Sequence, residues 1–400
     1  MSGAAGGRLM GKTLTAVLGA VAVWALVSCS AYDAITIVGS KSPEQAAKAI
    51  IRAKEAAYVR NPTLLAHDVK RARRQFKQLV AFFSGEVSRE WGSKEVLLPG
   101  PKRYVKYTQN YESRAVVNFD TGLITVETLD NDDVSLRNAI ITTLLTPDDP
   151  RAVDLYSDKT IKLSGTPYLY ALVLDHERRA IRSPKRAEAY ARHLVANERR
   201  ERKIDTAHGP RVARYVQFNM VNDRGNKQAA RYQRHVVRYA RKYQVSKSLI
   251  FAVIKIESNF NPFAVSAAPA YGLMQLVPAS GGREAYRAVK GVDKIPGRDY
   301  LLDAANNIEL GTAYLGIIDQ RYLGAIEDPT SREYCTIAAY NGGAGTVLRV
   351  FSSDRQRALA IINSLRPPAV YEQLRTRLPR QETRRYLVKV LDARRAFVNI

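Results

Sequence analysis

The sequence predicts an α+β amino-terminal domain with a small, mainly antiparallel sheet, followed by a mainly α domain. Three features carry that expectation. Apolar residues alternate with a period of two in short stretches between about 95 and 221. From 227 onward they recur with helical spacing, and no stretch there reads as a strand. At 400 residues the chain is also longer than one ordinary domain. The polar, turn-rich stretch Asn222-Asp223-Arg224-Gly225-Asn226 marks the boundary, giving domains over 47–224 and 225–400.

The first residues read as an address. Arg8 and Lys12 precede an apolar run from Leu14 to Val27, with no acidic residue before position 29. The run falls short of the ~20 residues of a spanning helix and suits a secretory leader. It closes on Leu26-Val27-Ser28-Cys29, which resembles the lipobox of bacterial lipoproteins. That resemblance implies a leader over 1–28 and a diacylglyceryl group on Cys29. Ser30 stands where an Asp would imply inner-membrane retention, so the resemblance implies an outer-membrane lipoprotein facing the periplasm. An uncleaved anchor with an incidental Cys is the alternative. Residues 29–46 are small and polar and read as a tether. With Cys29 acylated, Cys335 has no partner in the chain and is expected as a buried, inert side chain.

The amino-terminal domain then opens on a basic helix over 47–84, with Lys70, Arg71, Arg73, Arg74 and Lys77 in one stretch. Such a run is either a solvated face or a surface for a polyanion. Tyr104, Val105 and Tyr107 lead into a first strand, and Val116, Val117 and Phe119 mark a second. Asp120-Thr121-Gly122 is a turn, and Leu123 to Thr128 a third strand. Helices are expected over Val134–Leu145, stopped by Pro147, and over Lys185–Arg200. Arg211 to Val221 alternates again, with Val216, Phe218 and Met220 on one side and Gln217 and Asn219 on the other.

Charge narrows the class of partner. The chain has 62 Lys plus Arg against 38 Asp plus Glu, a net charge of +24. Such an excess points to nucleic acid, an anionic membrane face or an acidic wall polymer. An exported chain has little access to nucleic acid, and no zinc-finger, helix-turn-helix or aromatic-basic signature is present. No nucleic-acid partner is expected.

The chemistry is concentrated after residue 245. Ser246 reads as the N-cap of a helix in which Leu249, Val253 and Glu257 are spaced i, i+4, i+8, beside Ile250 and Ile254. Glu257 therefore lies on the apolar face, whereas Lys247 and Lys255 share another. Asn261-Pro262 is expected to stop the run. Burial and the negative end of the helix dipole both disfavour a carboxylate there, so both push its pKa upward, as a general acid requires. Alternatively, Glu257 bends out to water at a fraying helix end; periodicity leaves both readings open. Gly272-Leu273-Met274-Gln275 follows a loop of small residues. Thr330-Ser331-Arg332-Glu333 reads as a capping box, opening a helix that runs to Tyr340-Asn341 and closes on Gly342-Gly343.

In this order, Glu257-Ser258, Gly272-Leu273-Met274-Gln275 and Ala339-Tyr340-Asn341-Gly342-Gly343, with Tyr386 in Arg384-Arg385-Tyr386-Leu387, resemble the motif series of lytic transglycosylases. These have a goose-type lysozyme-like catalytic domain. The likeness covers the second domain. Trp91-Gly92 and Pro101-Lys102-Arg103-Tyr104-Val105-Lys106-Tyr107 extend it to the first, where they resemble membrane-bound members of that family. Tyr271 is bulkier than the series leads one to expect.

The resemblance implies cleavage of the β-1,4 bond between N-acetylmuramic acid and N-acetylglucosamine in peptidoglycan strands. Glu257 would be general acid and then base. Ser258, Met274, Gln275, Tyr340, Asn341 and Tyr386 would bind substrate or orient the acid. The muramoyl C6 hydroxyl would attack its own anomeric carbon, so the second carboxylate of most glycosidases is not required. Asp293, Asp299 and Asp303 read as loop and capping residues. No cofactor is implied. No metal site is expected either, since His176, His193, His208 and His235 are scattered and lack ligand spacing. The competing reading is a non-catalytic peptidoglycan-binding lipoprotein on the same fold.

Overall fold

The computed structural model describes residues 62–398, so the expectations for the leader, Cys29 and the tether lie outside the described residues. The chain divides into two compact units, Met1–Phe82 and Phe83–Ile400. The first helix, α1 (Pro62–Trp91), runs through the division. On its smaller-unit part Lys70, Arg73, Arg74 and Lys77 are exposed.

In the larger unit, strands β1 (Arg103–Thr108), β2 (Ser113–Asn118) and β3 (Leu123–Thr128) are followed by helices α2 (Asp133–Leu145) and α3 (Pro184–Glu198). Strands β4 (Arg200–Thr206) and β5 (Gly209–Asn219) complete a five-stranded antiparallel sheet of order β1-β2-β3-β5-β4. Both faces are covered. Tyr104, Ala115, Val117, Ile124, Val126, Val216 and Phe218 pack under α2 and α3. Val105, Tyr107, Ile204 and Ala213 pack against Phe83, Val87 and Trp91 of α1.

That second face explains why α1 runs to Trp91 rather than ending at 84. Phe83, Val87 and Trp91 form one i, i+4, i+8 stripe, and their burial outweighs the weak helix propensity of Gly85. Strand β4 went unforeseen, with its residues divided between the expected helix end and an unassigned stretch. Its sequence is Arg-Glu-Arg-Lys-Ile-Asp-Thr and only Ile204 is buried, as befits a charged sheet edge. His176 and His193, far apart in sequence, stack ring on ring at 4.2 Å.

One polar network lies beneath α1, with Arg114 and Glu127 buried and Glu95 and Arg202 at its partly exposed edge. The Arg114 guanidinium, 2% exposed, lies 3.9 Å over the Trp91 ring and donates to Glu127 at 2.6 Å and to the Glu95 carbonyl at 2.6 Å. Arg202 joins both carboxylates, at 2.7 Å to Glu95 and 3.2 Å to Glu127. The hydrogen bond from Arg202, helped by Arg114, holds the Glu95 carboxyl down to about 2 against the opposing effect of burial.

The remainder is helical. It comprises α4 (Arg224–Tyr243), α5 (Lys247–Ser258), α6 (Arg283–Lys290), α7 (Arg298–Leu302), α8 (Ala304–Gly316), α9 (Pro329–Gly342), α10 (Ala344–Leu348), α11 (Arg355–Ser364), α12 (Pro367–Arg377) and α13 (Gln381–Arg395). Helix α5 runs through the middle of this core, with Leu249 to Ile254 all buried. Cys335 is a free, buried thiol in the same core, and burial pushes it up to about 12. Two boundaries differ from expectation. Helix α4 starts at Arg224, so Gly225 and Asn226 are helical. Helix α9 is capped by Asp328, whose side chain accepts from the Ser331 N–H, with Pro329 in the first turn. Thr330 is therefore not the cap, and Glu333 pairs with Arg394 instead.

Replacing Arg114 with Leu should cost about 3 kcal/mol or more, because it leaves Glu127 short of a buried partner. Urea unfolding measures this. The double variant Arg114→Leu/Glu127→Leu should recover much of the loss.

Candidate active site

The site is built at the carboxyl end of α5. The Ser246 side chain caps its start by accepting from the Leu249 N–H. The helix ends earlier than Asn261-Pro262. Asn259 is left-handed at φ 46 and its N–H bonds back to the Lys255 carbonyl; Phe260 is left-handed too, at φ 63. Asn tolerates this conformation better than most residues, so the reversal falls three residues before Pro262.

Glu257 sits in that last turn. It keeps part of its surface open, yet burial pushes its carboxyl up to about 7. A hydrogen-bonding interaction with Tyr386 pulls the value back, Glu382 raises it and Lys102 lowers it. The apolar-face reading of Glu257 is thus the one the structure matches. Tyr386, on α13, is 5% exposed, and its hydroxyl makes no hydrogen bond of regular geometry despite its closeness to Glu257. Tyr340, at the end of α9, lies near the same carboxyl. Burial first and the Glu257 charge second hold its phenol well above the usual range.

The Gly272–Gln275 loop closes the site from another side. Its ends are tied by mutual backbone bonds between Tyr271 and Leu276, at 3.0 and 3.1 Å. Ser258, fully buried, donates to the Leu273 carbonyl at 2.8 Å, and Tyr340 donates to the Met274 carbonyl at 2.9 Å. Asn307 of α8 accepts from the Met274 N–H at 2.8 Å and donates to the carbonyls of Tyr271 and Leu301 at 2.8 and 2.7 Å. Gly272 is left-handed at φ 76, and a Cβ there would collide with the Asn307 amide and the Leu301 carbonyl. Gln275 is also left-handed, at φ 48. Its amide donates to the Gly272 carbonyl at 2.9 Å, and its Oε1 has no protein partner.

The residues singled out in the sequence fall into two sets. Glu257, Tyr340 and Tyr386 come together around one carboxyl, with Gln275 on the adjoining loop. Asn341 is held at its Oδ1 by the Thr383 hydroxyl of α13 at 2.7 Å. Ser258 and Met274 are fully buried, so both brace the loop from within instead of lining open space. Asp293 pairs with Arg283 at 2.6 Å, Asp299 lies in α7 and pairs with Arg298 at 2.8 Å, and Asp303 caps α8. The carboxylate that acts on Glu257 is Glu382, in the first turn of α13. Sequence reading missed Asn307, Asn259, Asn261, Lys102 and Glu382. Asn307 had a signal, as a polar residue on the stripe it shares with Leu310 and Gly311, while Asn261 stood in the expected helix stop and Lys102 in the segment before β1, neither with a role at the site.

A carboxyl that burial pushes up to about 7 thus stands at the end of a helix in this helical core. The Transglycosylase SLT domain model matches residues 235–363. The model for the N-terminal domain of membrane-bound lytic murein transglycosylase C matches residues 69–231. Membrane-bound lytic murein transglycosylase C of Klebsiella pneumoniae strain 342 is 47% identical over 325 residues, covering 80% of this chain and 89% of its own. That of Yersinia enterocolitica is also 47% identical over 325 residues, with the same coverage. The solved lytic transglycosylase Slt of Pseudomonas aeruginosa, an inactive mutant, aligns with 41% of this chain and 23% of its own at 29% identity, with a TM-score of 0.32. The chain belongs to the membrane-bound lytic murein transglycosylase C family.

The raised carboxyl has a consequence for stability. Its folded value of about 7 exceeds its ordinary value of 4.5, so the folded protein holds this proton more tightly. The resulting stability is fully present below pH 4.5 and lost as pH rises to about 7. Glu257→Gln should therefore gain on the wild type across that window, by roughly 1–3 kcal/mol at pH 8. Denaturant unfolding at pH 4.5 and pH 8 tests this, and a pH-independent difference would show that Glu257 is not desolvated.

Proposed function

We propose that this enzyme, a peptidoglycan lytic transglycosylase, uses Glu257 as its single acid and base on the β-1,4 bond between N-acetylmuramic acid and N-acetylglucosamine. The observation that carries this reading is a carboxyl pushed up to about 7, faced by Tyr340 and Tyr386 at the end of α5. Near neutral pH such a group is divided between its two forms, so it donates a proton well and recovers one well. Glu257 protonates the glycosidic oxygen. It then takes the proton of the muramoyl C6 hydroxyl as that oxygen attacks its own anomeric carbon. The hydroxyl is already held beside the carbon, so no water has to be recruited. Tyr386 and Tyr340 orient the carboxyl. Gln275 and Asn341 take the sugar amides. Ser258 and Met274 act from beneath by seating the loop.

The protein is membrane-associated and acts on the cell wall. The finer reading is a leader over 1–28, an acylated Cys29, a tether over 29–46 and domains over 47–224 and 225–400. The acyl chains hold the enzyme on the outer membrane, facing the periplasm, within reach of the wall. No helix among the described residues is long and apolar enough to cross a membrane. The charge of +24 complements wall peptide carboxylates.

Glu257→Gln should lose at least ~10²-fold in turnover while staying folded, since the amide keeps the shape but donates no catalytic proton. Mass spectrometry of products from purified peptidoglycan should show 1,6-anhydro-N-acetylmuramic acid ends, with no oxygen taken from labelled water. Reducing ends carrying the label would make the enzyme a hydrolase with a partner carboxylate. Unchanged turnover of a folded Glu257→Gln would leave the binding-protein reading.

Cys29→Ser should move the protein from the membrane to the soluble periplasmic fraction, because each buried methylene of the acyl chains contributes about 0.8 kcal/mol. Fractionation after a salt wash is the measurement. A variant that stays with the membrane would overturn the lipid-anchor reading.

A further inference from the structure

We propose that the sheet layer completes the active site: Lys102, carried on the turn before β1 and fixed against the end of α5, is a positioning residue that acts through the Glu257 carboxyl. This rests on Glu257 being the acid of the proposed reaction.

The geometry is a set of short links between the two layers. Asn259, two residues beyond Glu257, donates from Nδ2 to the Phe119 carbonyl at 2.7 Å and to Asp120 Oδ1 at 3.1 Å. The same Asp120 oxygen lies 3.4 Å from Lys102 Nζ. Asn261 donates to the Pro101 carbonyl at 2.9 Å, next to Lys102 in sequence, and the Lys102 carbonyl accepts from the Phe119 N–H at 3.0 Å. Two residues further on, Phe263 enters the sheet layer's core, 4.9 Å from the ring centroids of both Tyr104 and Tyr168. The reversal that ends the helix of the acid thus also plugs that helix into the sheet. Lys102 is held at the seam, with its side chain 33% exposed.

Charge decides what Lys102 does there. The groups acting on Glu257 are Tyr386 and Glu382 from α13, Tyr340 from α9 and Lys102 from the sheet layer; the Gly272–Gln275 loop carries no titratable side chain. Burial and Glu382 both resist formation of the carboxylate. Lys102, whose ammonium is held 3.4 Å from Asp120 beside the Asn259 amide, is a cation that favours it. As Glu257 hands its proton to the glycosidic oxygen, negative charge grows on the carboxyl, and Lys102 stabilises that charge more than it affects the neutral acid. The amino-terminal domain is therefore more than a spacer between anchor and catalytic core.

The test is the pH profile of kcat/KM on soluble peptidoglycan fragments, with the full chain as wild type, Lys102→Met and Lys102→Arg. Lys102→Met should move the alkaline limb, where the acid loses its proton, upward by roughly half a pH unit. It should also lower kcat with KM little changed, whereas Lys102→Arg should keep the wild-type profile. Glu382→Gln should move the same limb downward. Lys102→Gln serves if the Met variant is not recovered folded. An unmoved limb in a folded Lys102→Met, or a change confined to KM, would overturn the inference. It would fall alone if Glu257→Gln has lost turnover; if Glu257→Gln still turns over, the proposed acid itself is wrong.

Discussion

The Gly272–Gln275 loop is buried backbone outside any regular helix or strand. Buried N–H and C=O groups left without partners are costly, so side chains must meet them. Ser258 comes from α5, Asn307 from α8 and Tyr340 from α9, and each bonds a backbone group of Leu273 or Met274. The loop cannot shift without breaking several of these bonds, and the three helices cannot shift without leaving the loop unsatisfied. Gly272 is required because its left-handed φ and its contact with Asn307 leave no place for a Cβ. Glu257 precedes Ser258 and Asn341 follows Tyr340, so the same bonds that seat the loop set the distance across the site.

Within this frame the chemistry depends on what is left unsatisfied. Tyr386 and the Gln275 Oε1 are buried polar atoms without a regular partner, and both border the site. The hydroxyls of Tyr168, Tyr300, Thr312 and Ser331 are likewise buried without a regular partner, whereas buried charged groups away from the site are paired. Arg114, Glu95, Glu127 and Arg202 bind one another under α1, and Glu309 is held by Lys242 and Lys290. The contrast is physical. A carboxyl with two cations stays ionised, as Glu95 does, whereas Glu257 has a tyrosine, a lysine that also pairs with Asp120, and a like charge, and stays largely protonated to about pH 7.

Much of this was legible in the residues. Strands β1 to β3 were legible as short runs of aromatic and β-branched residues bounded by turn signals, although burial on both faces blurs their alternation. Strand β5 read clearly through the alternation that ends on Met220. Strand β4 did not, because a charged edge strand with one buried Ile carries almost no apolar period. The helical phase of Glu257, beside Val253 and Leu249, made its partial burial one of two open readings; its proposed role came only from the motif series. Ser258 and Met274 were placed in the right neighbourhood but on the wrong side of the loop wall, since a motif names residues without saying which way they point. Asn307 was lost because one Asn in an apolar helix looks like a surface residue until α8 is packed against the loop. Lys102 lies 155 positions before Glu257, and no local pattern joins them.

A partly buried carboxyl at a helix end has a structural cost that the sheet layer helps to meet. The last turn of a helix has unpaired carbonyls and frays readily, so a side chain there risks losing its geometry. Here the turn is locked from outside. Asn259 ends the helix in a left-handed conformation and spends its amide on the β2–β3 turn, Asn261 spends its own on the segment before β1, and Phe263 is buried among sheet-layer aromatics. Separating the layers would therefore release the turn that holds Glu257. That is a physical reason for both layers to lie in one compact unit, Phe83–Ile400, even though the sequence marks a polar boundary between them.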